Sequence, residues 1–401
     1  MTMKEILVVG GGFAGLWASL SAADEALKHG GDIHITLFSR DEYLTIRPRL
    51  YEKNPETLRV PLRPCLDSAG IPFVRGIFGG IDMKNRIIHI QNGGGESSSR
   101  SYDRLILAVG SELQKLPVHG IEENSWNNDT YDAAVALDRH LREILQAPDA
   151  PEHHTLVIIG AGMSGIELAM EMRGRIEVHA DSKVAERVRV ILVDRNEVVC
   201  RDFGENSRQV IEEALQSARV ETRLGVGVTR IDPDGLDLSN GERIEAATVI
   251  ITAGIRPNSL ARTLFAEFEE EGFLPVDEML RVKGVPEVYA AGDIARVFAD
   301  GEHLALMSCQ HAKTMGKYAG HNAARELLDL PLRPYRQMDY STTLDLGSAG
   351  AIITSGWDRQ VKVTGEKAKE RKRMINTEWI YPPRGTREEI LAAARIDERG
   401  R

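Results

Sequence analysis

The chain has 401 residues, a formal net charge of −10, 42% hydrophobic and 27% charged residues, and a sequence pI near 5.7. That length suggests two or three domains with sizeable cores, and the acidic balance argues against a nucleic-acid partner, which needs a basic face. The odd, widely spaced Cys65, Cys200 and Cys309 suggest neither a zinc site nor an adjacent redox disulfide, so no metal is expected and a reducing, cytoplasmic setting is.

The first element is decisive. Ile6-Leu7-Val8-Val9 runs straight into Gly10-Gly11-Gly12-Phe13-Ala14-Gly15, which reads as a buried parallel strand, a tight turn and a helix start facing a phosphate. In this pattern Gly10 permits the turn, Gly12 lets a pyrophosphate approach the backbone, and Gly15 lets the helix lie close on the strand. A single Gly-x-Gly-x-x-Gly also serves packing alone, so its weight depends on the rest of the chain. Residues 34–38 read as the second parallel strand, and the place after it, where an acid usually meets a ribose hydroxyl, holds Ser39-Arg40. Residues 43–51 form an apolar, aromatic loop with arginines around Pro48, suited to lie beside a planar ring system or on the surface, with a short helix from Tyr51. Residues 72–76, 81–82 and 86–90, with a Gly93-Gly94-Gly95 turn, suggest an antiparallel insertion. Another buried strand ends at Ala108-Val109-Gly110. Residues 122–130 read as a linker, 131–146 as a helix, and 147–154 as a loop.

The opening unit then recurs. Leu156-Val157-Ile158-Ile159 leads into Gly160-Ala161-Gly162-Met163-Ser164-Gly165 and Glu167. The strand at 187–193 ends at Asp194, the expected ribose acid, 29 residues past Gly165 instead of about 20; the polar stretch 173–186 absorbs the excess. Asp194 repels a 2′-phosphate, and neighbouring Arg195 weakens that preference. A helix at 205–217, strands near 220 and 226–232, and a hairpin at Asn240-Gly241 come next. Residues 248–254, ending at Ala253-Gly254, echo 105–110. Two whole units imply two dinucleotides. Beyond them come a strand ending at Gly292-Asp293 and a helix starting near Cys309-Gln310-His311-Ala312, whose positive end would face an electron-rich group. Residues 344–353 and 360–364 read as strands. Residues 366–373 are a basic run, more often a solvated helix face than a lipid site. Residues 378–383 could pack over the cofactor site or behind the domain.

This order of motifs resembles the two-dinucleotide pyridine nucleotide–disulfide oxidoreductases, and within them the type II NADH dehydrogenase-like branch, over residues 4–328. The expected fold is α/β: two Rossmann-like three-layer dinucleotide-binding domains, at 1–125 with 255–330 and at 126–254, plus a small α+β C-terminal domain at 331–401. The resemblance implies FAD on Gly10, Gly12, Phe13, Ala14 and Gly15, with Ser39, Arg40, Arg47, Pro48, Val109, Gly110, Gly292, Asp293, Gln310, His311 and Ala312 around it. It implies NADH, with NADPH left open, on Gly160, Gly162, Met163, Ser164, Gly165, Glu167, Asp194, Arg195 and Gly254. Glu167 would reach the nicotinamide–flavin zone or serve as a structural acid in the first turns of its helix, and His311 is a candidate proton donor or hydrogen-bond partner of the flavin. There are two departures. Ser39 replaces the first ribose acid, and the branch's Ala-Gln-x-Ala-x-Gln pattern reads Cys309-Gln310-His311-Ala312-Lys313-Thr314. The implied activity is hydride transfer from NADH to FAD and then electron delivery to a quinone or other small acceptor, with at most peripheral contact with the inner face of the cell membrane and a homodimer left open. Rival readings are a flavin monooxygenase, whose Phe-x-Gly-x-x-x-His signature is missing, and a redox-sensing or protein-electron-transfer flavoprotein.

Overall fold

A computed structural model describes residues 3–91, 97–146, 154–179, 182–264 and 272–397. Two five-stranded, all-parallel sheets organise it. In the first the order is Val288–Ala290, Arg104–Leu107, Lys4–Val9, Ile33–Ser39, Phe73–Arg75; in the second it is Trp126–Asn127, Thr248–Ile251, Thr155–Ile159, Arg189–Asp194, Val220–Leu224. Every strand but the outermost thus has its counterpart in the other copy. The central strands are apolar on both faces, as strands covered from both sides must be: Ile6, Val8, Leu156, Val157 and Ile158 are fully buried.

Each sheet carries helices on one face and a three-stranded antiparallel piece, Ile77–Asp82, Ile87–Gln91 and Ser97–Ser101 in one copy, Val228–Asp232, Gly235–Leu238 and Arg243–Glu245 in the other. The Gly93-Gly94-Gly95 turn and residues 147–153 lie outside the described residues. Both chain crossings between the sheets run through one antiparallel pair, Ser111–Leu113 with Ile255–Pro257.

The helix Phe13–Lys28 is buried from Ala14 to Ala26 because the helix Cys309–Leu327 covers its far side. Small residues make that contact close. A Cβ on Gly316 would lie 2.3 Å from the Ala14 carbonyl oxygen, and one on Gly320 2.0 Å from that of Ala18. In the second copy the helix Met163–His179 is tied to Tyr131–Ile144 by a buried Arg175–Asp138 ion pair.

The stretch 173–186 is helical up to His179 and again in Ser182–Arg187, the extended helix end that absorbs the spacing. Four local expectations change. Residues 72–76, expected in the antiparallel insertion, instead supply the strand Phe73–Arg75, parallel to Ile33–Ser39 at the edge of the first sheet. The 122–130 linker begins inside a short helix, Ile121–Asn124, and includes the strand Trp126–Asn127. No helix starts at Tyr51; a 3-10 turn at Arg47–Arg49 precedes it, and the helix here is Arg63–Ala69. The apolar run 344–353 is two strands, Ser341–Asp345 and Ala351–Ser355, because Gly347 (φ 59°) and Gly350 (φ 97°) turn the chain between them.

With Gln360–Gly365 these strands form the C-terminal sheet, followed by the helix Glu366–Met374 and a π-helical turn, Ile375–Trp379. The last helix, Arg387–Ala392, opens with a Thr386/Glu389 capping box. Beyond it Arg395 grips Asp24 of the first long helix at 3.0–3.1 Å.

Candidate functional site

The two glycine loops share one geometry. Gly10 and Gly160 have φ of 116° and 115°, a region L side chains avoid, and their amides donate to Phe38 and Val193 carbonyls on the neighbouring strand. A Cβ on Gly15 or Gly165 would sit 1.8 Å from the Gly10 or Gly160 oxygen, so the helix can lie this close only with glycine there. By contrast a Cβ on Gly12 or Gly162 would meet nothing within 4 Å: both loops leave their middle glycine open on the exposed side. Gly12 caps the helix Phe13–Lys28 without a side-chain acceptor, leaving its first amides for an anion. These are the features a dinucleotide pyrophosphate needs, twice over, and the residues present fit such a group.

Around the first loop the structure assembles Val109, Gly110, Gly292 and Ala312. A Cβ on Gly10 would lie 2.2 Å from the Ala108 oxygen, and one on Gly292 2.9 Å from Ala14 Cβ and 3.4 Å from Ala312 Cβ. Ser39 packs on Gly11, whose Cβ would lie 2.7 Å from Ser39 Oγ, while Arg40 is exposed. Asp293 accepts a hydrogen bond from Ser111 Oγ at 2.6 Å. Arg47 donates to Ser111 Oγ at 2.9 Å and to Asp129 at 2.5 Å. Burial raises the Asp293 carboxyl above its usual range despite Ser111 and Arg47. Pro48 is half-buried in the same 3-10 turn as Arg47. Ser111 and Asp129 were invisible as site residues because each is joined to Arg47 only by the fold.

Around the second loop Met163 and the exposed Ser164 begin the helix, and a Cβ on Gly160 would lie 3.0 Å from Ala253, beside exposed Gly254. Asp194 ends its strand and accepts from Ala161 N at 2.6 Å. Arg195 is exposed.

Glu167 ties the second loop's helix to the C-terminal sheet and helix. Its Oε1 accepts from the Asp345 amide at 2.9 Å and from Lys372 Nζ at 2.8 Å, and Lys372 also donates to the Thr343 carbonyl at 3.0 Å. Burial raises the Glu167 carboxyl more than Lys372 lowers it. Burial also opposes the Lys372 ammonium, yet Glu167 and Asp345 keep its pKa above the usual value. Lys372 bears in turn on Cys309, whose thiol burial pushes up. Asp345 further accepts from Tyr51 at 3.2 Å and Lys369 at 2.5 Å. The basic run is therefore not only a solvated face: Lys372 points inward. Its signal was the four-residue spacing of Ala368, Lys372 and Asn376, the buried positions along this stretch. The 378–383 segment packs on the turn at Arg47–Arg49, where the Tyr381 hydroxyl accepts from Arg49 at 2.7 Å.

His311 is 0% exposed, its ring 5.5 Å from that of Tyr340 and 5.9 Å from that of Trp357. Burial lowers its pKa to about 4, which favours the neutral imidazole, a hydrogen-bonding group, over the imidazolium. Ser308 Oγ pairs with His311 Nδ1 at 2.9 Å and accepts its backbone N–H at 3.3 Å. These bonds fix His311 in the first turn of its helix, while Cys309 and Gln310, half-exposed, lie at its start; Gln310 Nε2 donates to the Asp339 carbonyl at 3.2 Å.

The family model for pyridine nucleotide-disulphide oxidoreductases matches residues 4–316. The chain belongs to that family. An NADH dehydrogenase-like protein of Mycobacterium tuberculosis is 43% identical over 396 residues, 98% of each chain. A type II NADH:quinone oxidoreductase of Staphylococcus haemolyticus is 23% identical over 395 residues, 94% of this chain and 95% of its own. The fold is that of NDH2 from Plasmodium falciparum solved with NADH, with TM-score 0.79, 13% identity and 95% of each chain covered. Family membership makes the protein an NAD(P)H oxidoreductase that uses FAD and a pyridine nucleotide. Among the described residues no helix is long and apolar enough to cross a membrane.

Proposed function

We propose that this protein takes a hydride from NADH onto FAD and delivers the electron pair to a quinone-type small acceptor. In this reading residues 1–125 with 255–330 hold FAD, residues 126–254 hold NADH, and residues 331–401 complete the junction. The carrying observation is the doubled loop, each copy with its middle glycine open on the exposed side. FAD bound at the first loop would supply the two-electron carrier; such redox chemistry belongs to the cofactor. The protein's part is placement. The amides after Gly12 and Gly162 would hold the pyrophosphates. Asp293, steadied by Ser111 and Arg47, would accept hydrogen bonds from the polyol chain. The start of the helix at Cys309 and Gln310 would set positive partial charge against the flavin. Glu167, fixed by Lys372, would reach toward the nicotinamide.

The acceptor class is supported by the quinone-reducing relative at 23% identity. The exposed Met374 and Trp379, 45% and 47% accessible, also support it, because with Arg371 5.9 Å from the Trp379 ring they form a surface suited to peripheral membrane contact.

The test is direct. Purified protein should carry flavin that NADH bleaches without oxygen, and a short-chain quinone should restore the colour faster than ferredoxin does. Gly12→Val should fold but lose FAD. Gly162→Val should keep FAD and lose bleaching by NADH. Flavin retained at wild-type level in Gly12→Val would sink the site assignment, and faster reoxidation by ferredoxin than by any quinone would sink the acceptor.

A further inference from the structure

The strand ends that come after the two glycine loops are built differently. In the first copy Ser39 carries a short hydroxyl. In the second, Asp194 carries a carboxylate committed to the protein itself. Its Oδ2 accepts from Ala161 N at 2.6 Å. Its Oδ1 accepts from both Asn196 N and Asn196 Nδ2, each at 2.8 Å. The backbone of this turn is pinned as well, with Val226 N donating to the Asp194 carbonyl at 3.1 Å and Gly225 N to the Asn196 carbonyl at 2.9 Å.

A carboxylate has about four acceptor positions, so roughly one remains for a ribose hydroxyl. The group cannot rotate without giving up its bonds to Ala161 and to both donors of Asn196. A free aspartate could swing away from a 2′-phosphate and leave it to the exposed Arg195, the neighbouring residue. A fastened one cannot, and the phosphate meets a fixed negative charge where a hydroxyl would meet an acceptor.

We propose that Asn196 is the positioning residue that makes the second nucleotide site selective for a cofactor with a free 2′-hydroxyl, by locking Asp194 against the glycine loop. The inference rests on reading residues 160–165 as the pyridine-nucleotide loop. Asn196 acts through Asp194 and need not touch the nucleotide.

The experiment compares NADH and NADPH on the flavin-loaded protein, measuring kcat and KM of flavin reduction and the Kd of each nucleotide. Asn196→Ala removes the side-chain donor and keeps the backbone one. It should raise the NADPH-to-NADH ratio of kcat/KM by about tenfold, the worth of one charge-assisted hydrogen bond. The change should reside in KM and Kd. Asn196→Ser, which keeps a short donor, should recover at least part of the discrimination, and Asp194→Asn should abolish it. A ratio within twofold of wild type in Asn196→Ala, whether or not Asp194→Asn changes it, overturns the role of Asn196. So does a change confined to kcat. If the wild-type protein binds neither nucleotide, the functional reading falls and this inference falls with it.

Discussion

Lys372 and Glu167 join the C-terminal helix to the nucleotide-domain helix through a 2.8 Å contact between side chains that are each 9% exposed. Replacing Lys372 by Met strands Glu167 among buried groups with only the Asp345 amide as donor. Breaking a buried pair from one side costs about 3–5 kcal/mol, whereas exchanging both partners for neutral groups costs far less. An unfolding entropy near 2.1 cal/mol/K per residue gives about 0.8 kcal/mol/K for this chain. The single variant should therefore melt about 4–6 °C lower, if unfolding is cooperative. Glu167→Gln with Lys372→Met should recover much of the loss, giving a coupling above about 2 kcal/mol in a double-mutant cycle. The flavin-loaded protein followed by thermal scanning is the assay, with the NADH bleaching rate as a second readout. A drop below about 1 °C for Lys372→Met, or strict additivity of the two substitutions, would refute the reasoning.

The acid limb of stability should report Glu25. Burial pushes its carboxyl up, but His321, Arg325 and Lys28 outweigh that and hold it at about 2 against an ordinary 4.5. A depressed carboxylate adds stability that is full above pH 4.5 and lost as pH falls towards 2, about 3 kcal/mol in all. Glu25→Gln should flatten the melting temperature between pH 5 and pH 2.5, and an unchanged slope there would count against it. His311, already neutral, should leave no inflection between pH 5 and 9 in the bleaching rate; His311→Gln should keep the profile's shape while lowering stability by about 1–3 kcal/mol, and an inflection near pH 6.5 that vanishes in this variant would restore His311 as an acid. Gly316→Ala would place a Cβ 2.3 Å from a backbone oxygen, so it should cost at least about 1–3 kcal/mol and weaken flavin retention, measured as bound flavin per chain; full retention would mean the two helices can separate freely.

What could be read in the chain was local. A glycine loop is a requirement of backbone sterics, so Gly10 and Gly160 disclosed themselves, and the apolar strands leading into them disclosed the sheets. Asp194 came from position along the repeat. What could not be read was brought together from afar. Lys372 lies 205 residues from Glu167, and Arg47 lies 64 and 82 residues from Ser111 and Asp129. No periodicity encodes those meetings. The burial of His311 was equally hidden, because the sequence does not say that Tyr340 and Trp357 close over the ring. Residues 344–353 misled for a simpler reason: an apolar run hides a turn unless its glycines are weighed.

The close seat of Gly316 and Gly320 on Ala14 and Ala18, with the strand Val288–Ala290 beside Arg104–Leu107, governs the order in which the protein can be made. The second sheet draws all its strands from residues 126–251, so it can close while the ribosome is still extending the chain. The first sheet, although it begins at Lys4, lacks its outer strand and the cover of its first helix until residue 327 has emerged. The amino-terminal end therefore spends that interval with apolar helix and strand surface uncovered, and a chain truncated before Cys309 should expose that surface to chaperones and aggregation.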